Sequence, residues 1–201
     1  MIDARIAPVQ RRVLAPVAAW LAARGVGADA LTLAGFAAGV LAVVAVAFGA
    51  FGIGLALLLV NRLADGLDGE VARIGGATDR GAFLDIALDF VFYALFPLGF
   101  ALAEPATNAL PAAVLIASFV GTGSSFLAFS VLAERRGLTA ADFPAKGIHY
   151  LGGLTEGAET IAVFAAMCLW PMAFPALAWL FAAACGLTTV LRWWRGWQSF
   201  G

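Results

Sequence analysis

The chain has 201 residues, 63% of them hydrophobic, with a mean hydropathy of +0.94 and a formal net charge of −1 from 12 basic and 13 acidic side chains. Water-soluble domains are about half apolar, and so few polar residues cannot give a soluble fold of this length its wet surface. No basic nucleic-acid tract and no low-complexity linker is present.

In chain order, the first 24 residues carry Asp3, Arg5, Arg11, Arg12 and Arg24 and lack the apolar region and small-residue cleavage site of a signal peptide. Ile2, Ile6, Val9, Val13, Val17 and Trp20 recur at helical spacing, which predicts a helix lying in the membrane interface. Pro8 and Pro16 predict that this helix is not straight. Six apolar stretches follow, at 29–49, 52–71, 82–103, 109–132, 151–170 and 173–191. Each is close to the roughly 20 residues that cross a bilayer as a helix. The expected fold class is all-α: one membrane domain of six transmembrane helices behind an N-terminal amphipathic juxtamembrane helix.

All twelve Lys and Arg residues fall before span one, around the loop between spans two and three, between spans four and five, or after span six. The loops near Gly49–Phe51, Glu104–Asn108 and Trp170–Met172 have none. The positive-inside rule then places both termini in the cytoplasm, with Trp193, Trp194 and Trp197 at the inner interface and Trp170 at the outer one. Cys168 and Cys185 lie within spans, without the spacing of a disulfide framework or zinc site, and read as packing residues.

Charge is concentrated in residues 65–89, DGLDGEVARIGGATDRGAFLDIALD, which hold six carboxylates and two arginines. On a helix Asp65, Asp68, Gly69, Ala72 and Arg73 share one face, and Gly81, Asp85 and Asp89 share another. Gly75-Gly76-Ala77-Thr78 supplies a turn between them, so an antiparallel helix pair can set the two stripes face to face. An ionised Asp at the centre of a membrane helix costs about 2.5–3.5 kcal/mol. Four of them, near one another and near the interface, demand counter-charge that Arg73 alone cannot supply. Two divalent cations balance four carboxylates in formal charge, and Mg²⁺ takes carboxylate, phosphate and water oxygens. Gly69 and Ala72 leave space on the acid face for a ligand, whereas Gly35 and Gly39 in span one read as helix-packing positions.

The string Asp65-x2-Asp68-Gly69-x2-Ala72-Arg73 followed by Gly81-x3-Asp85-x3-Asp89 resembles the signature of the CDP-alcohol phosphatidyltransferase family. Its usual form is D-x2-D-G-x2-A-R-x8-G-x3-D-x3-D; here seven residues, not eight, separate Arg73 from Gly81. The resemblance extends to the six spans, the juxtamembrane helix and the string ADALTLAG leading into span one. It implies a two-metal phosphotransfer site using Mg²⁺ or Mn²⁺, with Asp65, Asp68, Asp85 and Asp89 as ligands and Asp85 bridging. Asp89 would ligate or take the proton of the incoming hydroxyl. Asp65, Asp68, Gly69, Ala72, Arg73 and Gly81 would bind the nucleotide. The implied reaction transfers phosphatidyl from CDP-diacylglycerol to a small polar alcohol, with CMP leaving, in the bacterial-type inner (plasma) membrane with the active site cytoplasmic. Homodimers are common in the family, and small-residue faces such as Gly35–Gly39 are compatible with one.

The acceptor stays open. Arg135, Arg136, Lys146 and His149 lie on the active-site side and suit the phosphate of an acceptor such as glycerol 3-phosphate or inositol phosphate, or serve as topology-setting charges. Glu156 and Glu159, one turn apart in span five, would contact the acceptor or pair with Arg62 or Arg73. Gly121-Thr122-Gly123-Ser124-Ser125 lacks the Lys of a phosphate loop and reads as a close helix approach. Two other readings share the acids: a CDP-choline or CDP-ethanolamine phosphotransferase with diacylglycerol as acceptor, and a cation transporter or channel. The latter is disfavoured by the absence of an internal repeat.

Overall fold

The computed structural model describes residues 3–137 and 155–201. These form seven α-helices: α1 (Asp3–Ala23), α2 (Ala28–Ala47), α3 (Phe51–Gly75), α4 (Asp79–Ala103), α5 (Pro105–Arg135), α6 (Gly157–Leu169) and α7 (Phe174–Phe200), with a 3₁₀ turn at Pro171–Ala173 before α7. The helices α2 to α7 overlap the six apolar stretches in position. Lys146 and His149 lie outside the described residues.

α2, α4, α5 and the segment Pro171–Phe200 are each long and apolar enough to cross a bilayer. Only 33% of the apolar window is buried in α2 and likewise in α4. Leu33, Leu41, Phe83, Val120 and Leu180 point outward from the bundle, as lipid-facing side chains do. α3 is equally long, but Arg62, Asp65, Asp68, Glu70 and Arg73 crowd its second half. The described part of α6 has 13 residues and starts at Gly157, with Glu156 as its N-cap. The two glutamates of span five therefore stand at the start of α6, where the helix dipole favours negative charge, and not midway along a span.

α1 stays helical through Pro8 and Pro16. Each proline removes one backbone donor, a local loss that leaves the remaining turns intact. Its inward face seats Leu14 and Ala18 against Leu67 and Val71 of α3, while Val13, Val17 and Trp20 stay exposed on the outer side. Arg24 lies over the Trp20 ring, 3.5 Å from its centroid.

Helix approach is set by small residues. A Cβ on Gly35 would sit 2.9 Å from the Cβ of Ala64, and one on Gly39 would sit 2.7 Å from the Phe92 ring. A Cβ on Gly123 would meet the Phe90 ring at 2.6 Å, and one on Gly121 would meet Thr189 at 3.1 Å. The Gly121–Ser125 segment is thus a close-packing face against α4 and α7. Where the helices meet, aromatic rings fill the core: Phe96 stacks on Phe164 and Phe100 on Phe174, each pair with centroids 4.5 Å apart. Cys168 and Cys185 are buried and unbridged.

The link between α3 and α4 shows how the shortened motif is accommodated. α3 continues to Gly75, and Gly76 takes a φ of 95°, open to a residue without a Cβ. Thr78 then caps α4, its hydroxyl accepting the Gly81 N–H at 3.0 Å. The chain reverses within this turn, and both acid stripes face one pocket.

Candidate active site

Asp65, Asp68, Asp85 and Asp89 line a single narrow pocket between α2, α3 and α4, together with Thr32, Asn61 and Arg62. Each acid is fixed differently. Asp68 is buried, and its Oδ2 accepts the Thr32 hydroxyl at 2.6 Å. Asp89 Oδ1 accepts from Arg62 Nη2 at 2.9 Å, and Asp65 Oδ2 lies 3.7 Å from Arg62 Nη1. Asp85 is the exposed member of the four.

The counter-charge differs from expectation. Arg73 pairs with Glu70 on its own helix, and Arg80 pairs with Asp29 of α2 through Nε at 2.9 Å. Among the described residues, Arg62 is the basic side chain that reaches the acids. It therefore pairs with Asp65 and Asp89, and not with Glu156 or Glu159. Charge counting assigns Arg62 only to the cytoplasmic excess; its position three residues ahead of Asp65, on the same helical face, is the signal that marks it. Asn61, Thr32 and Asp29 carry no such signal, since the partners that tie them to the site, Gly35, Asp68 and Arg80, lie on other helices.

Two larger cavities flank the acid pocket. The first, of about 750 Å³, lies among the starts of α2 and α4 and the end of α3, and is lined by Gly69, Ala72, Arg73 and Gly81 together with Asp68 and Asp85. A Cβ on Gly69 would meet only Arg73 Nη2, at 3.9 Å, so the space over Gly69 is open. At Gly81 a Cβ would approach Asp29 Oδ1 at 3.1 Å. The second cavity, of about 370 Å³, lies between α4, α5, α6 and α7 and is lined by Asp89, Tyr93, Thr122, Thr155, Glu156, Thr160 and Arg192, among others. Thr155 donates to the Thr188 hydroxyl at 3.1 Å, and Arg192 Nη1 donates to the Thr122 carbonyl at 2.9 Å.

The remaining candidates separate. Glu156 lines this second cavity, while Glu159, in the first turn of α6, is not among its lining residues. Arg135 ends α5 in an exposed position outside both cavities. Arg136 is a structural tie: its guanidinium donates to the carbonyls of Ser199 at 3.4 Å and Phe200 at 2.8 Å, fastening α5 to the end of α7.

Residues 26–194, which contain this whole arrangement, match the profile of the CDP-alcohol phosphatidyltransferase family. The chain belongs to that family. It is 48% identical over 199 residues to the inner membrane protein YnjF of Escherichia coli strain K12, covering 99% of this chain and 97% of that one. Over 94 residues it is 45% identical to a phosphatidylinositol phosphate synthase of Streptomyces avermitilis, covering 45% of this chain and 38% of that one. Two crystal structures of the Mycobacterium tuberculosis phosphatidylinositol phosphate synthase PgsA1 share its fold. One, with CDP-DAG bound, has a TM-score of 0.67 at 24% identity and covers 92% of this chain and 94% of that one. The other, in complex with manganese and citrate, has a TM-score of 0.67 at 25% identity and covers 92% and 88%.

The donor set of this phosphatidyltransferase fits a hard divalent cation: four carboxylates from two helices, on one pocket, at the edge of an apolar bundle. Among the described residues no three acidic, His or Cys side chains converge as a finished cage. Two of the four acids are engaged by Arg62 instead. Asp65, Asp68, Asp85 and Asp89 are the residues that would hold the ion.

Proposed function

We propose that the protein transfers the phosphatidyl group of CDP-diacylglycerol to a small polar alcohol and releases CMP, using two divalent cations, Mg²⁺ or Mn²⁺, held by the four aspartates. One observation carries this reading: the acid pocket stands between two cavities and shares residues with each. Asp68, Asp85 and Thr32 also border the larger cavity beside Gly69, Ala72, Arg73 and Gly81, and Asp89 also borders the smaller one. A nucleotide on one side and an acceptor alcohol on the other would meet over the carboxylates.

In this arrangement Gly69, Ala72 and Gly81 give the cytidine diphosphate a close approach to backbone, and Arg73 supplies positive charge at its edge. Bound divalent cations would supply charge neutralisation for the diphosphate and the leaving CMP oxygen. Asp89, facing the acceptor cavity, takes the proton from the acceptor hydroxyl. The acceptor oxygen then forms a bond to the phosphorus that bears diacylglycerol, and the bond from that phosphorus to the CMP oxygen breaks. Thr155, Thr160 and Glu156 orient the acceptor through its hydroxyls, with Arg192 at the cavity wall. The acyl chains of the donor lie between helices in the inner leaflet.

The distribution of Lys and Arg supports cytoplasmic termini and a cytoplasmic active site in a single six-span domain, and the likeness to an inner membrane protein supports placement in that membrane. The decisive experiment incubates purified protein with CDP-diacylglycerol, Mg²⁺ or Mn²⁺, and a panel that includes glycerol 3-phosphate, inositol phosphate and their unphosphorylated alcohols. CMP release together with a new phospholipid by mass spectrometry is the expected result. Absence of CMP with every alcohol would return the aspartates to a cation path.

A further inference from the structure

We propose that Arg62 is an internal stand-in cation: it holds the acid pocket together before a divalent ion arrives and yields Asp89 and Asp65 to that ion when it binds. The inference rests on the reading that the pocket takes divalent cations.

Arg62 is placed by several independent contacts. Its Nη2 is 2.9 Å from Asp89 Oδ1 on α4 and its Nη1 is 3.7 Å from Asp65 Oδ2 on its own helix. Its Nε donates to Asn61 Oδ1 at 2.7 Å, and the buried Asn61 in turn donates through Nδ2 to the Gly35 carbonyl of α2 at 2.9 Å. The guanidinium carbon lies 5.1 Å from the centroid of Phe92 and 5.7 Å from that of Tyr93. Two helices, α3 and α4, thus hold a side chain that is only 16% exposed, and α2 steadies its Asn61 partner. A planar fork of donors can serve two carboxylates and an amide at once, which an ammonium cannot do with the same geometry.

Arg62 is also the basic side chain available there. It is the one Lys or Arg among the described residues lining the acid pocket, while Arg73 and Arg80 are committed to Glu70 and Asp29. Without a bound cation, Arg62 relieves repulsion among the carboxylates by pairing with Asp89 and Asp65 in a low-dielectric setting. The same oxygens of Asp89 and Asp65 cannot serve the guanidinium and a divalent ion equally, so the two compete. A competitor for the site weakens cation binding, and its removal strengthens it. Arg62 is therefore a positioning residue whose effect is read in metal affinity.

The test measures Mn²⁺ binding to detergent-purified protein without substrates, by titration calorimetry and by the paramagnetic resonance of free Mn²⁺. Thermal midpoints are recorded in parallel in EDTA and in saturating Mn²⁺. Arg62→Gln is expected to bind Mn²⁺ about tenfold more tightly than the wild type. It should melt below the wild type in EDTA and recover most of that deficit in Mn²⁺. Arg62→Lys, which keeps one charge without the fork, should fold without difficulty and bind with intermediate affinity. If Arg62→Gln does not fold, an Arg62→Lys affinity above that of the wild type carries the proposal. Variants that bind Mn²⁺ no tighter than the wild type would overturn it, since a purely structural arginine lowers stability without sharpening affinity. Wild-type protein that takes up no Mn²⁺ would remove the metal reading itself, and the role of Arg62 with it.

Discussion

The Thr32 hydroxyl on α2 donates to the Asp68 carboxylate on α3 at 2.6 Å, and it also reaches the Ala28 carbonyl at 3.1 Å. A hydrogen bond to a charged group is worth about 1.5–3 kcal/mol. This one fixes the buried acid of the pocket with no residue of its own charge. Thr32→Val keeps the shape of the side chain and removes the donor. The Mn²⁺ concentration for half-maximal activity should rise about tenfold, while Thr32→Ser should stay near the wild type.

Two glycines on facing helices separate space for a ligand from space for a neighbour. Gly39→Ala drives a methyl to 2.7 Å from the Phe92 ring between α2 and α4. Overpacking of that kind costs about 1–3 kcal/mol, so this variant should melt earlier in detergent. Gly69→Ala meets nothing closer than Arg73 Nη2 at 3.9 Å and should fold as the wild type does. Gly69→Leu should also fold, yet fill part of the cavity assigned to the nucleotide. Its KM for CDP-diacylglycerol should rise at least about tenfold, measured by CMP release.

Asp85→Asn and Asp89→Asn remove charge from the pocket with little change in volume. Each should lower turnover at least about 100-fold at saturating Mg²⁺, with thermal unfolding still cooperative. Near-normal rates in both variants would remove the roles assigned to these two acids. EDTA should abolish activity in the wild type, and Mn²⁺ or Mg²⁺ should restore it.

The two acid stripes are legible in the sequence because an α-helix repeats its face at three and four residues, so Asp65, Asp68 and Ala72, or Gly81, Asp85 and Asp89, can be placed together without knowing the fold. The turn that joins them is legible in Gly75-Gly76 and Thr78. What opposes each acid is not, because it depends on how far neighbouring helices are rotated. Thr32 lies 36 residues before Asp68, and Arg62 lies 27 residues before Asp89. Arg73, inside the motif, is the obvious counter-charge by spacing, yet Glu70 one turn away takes it. α1 is legible as a helix, but the face that packs on α3, with Leu14 and Ala18, is not the Val13, Val17 and Trp20 stripe picked out by spacing, and that stripe stays exposed.

Glu156 offers the sharpest separation of donor from acceptor. It stands at the N-cap position of α6, and it lines the cavity that also holds Asp89 and Arg192. The cavity beside Gly69 and Arg73 contains neither Glu156 nor Asp89. An acceptor held by Glu156 through a hydroxyl loses one charge-assisted bond in Glu156→Gln, worth about 1.5–3 kcal/mol, while the donor loses nothing. KM for the acceptor alcohol should therefore rise about tenfold or more, with KM for CDP-diacylglycerol unchanged. A parallel rise in both constants would show that Glu156 supports the bundle as a whole, and an unchanged pair would place the acceptor elsewhere.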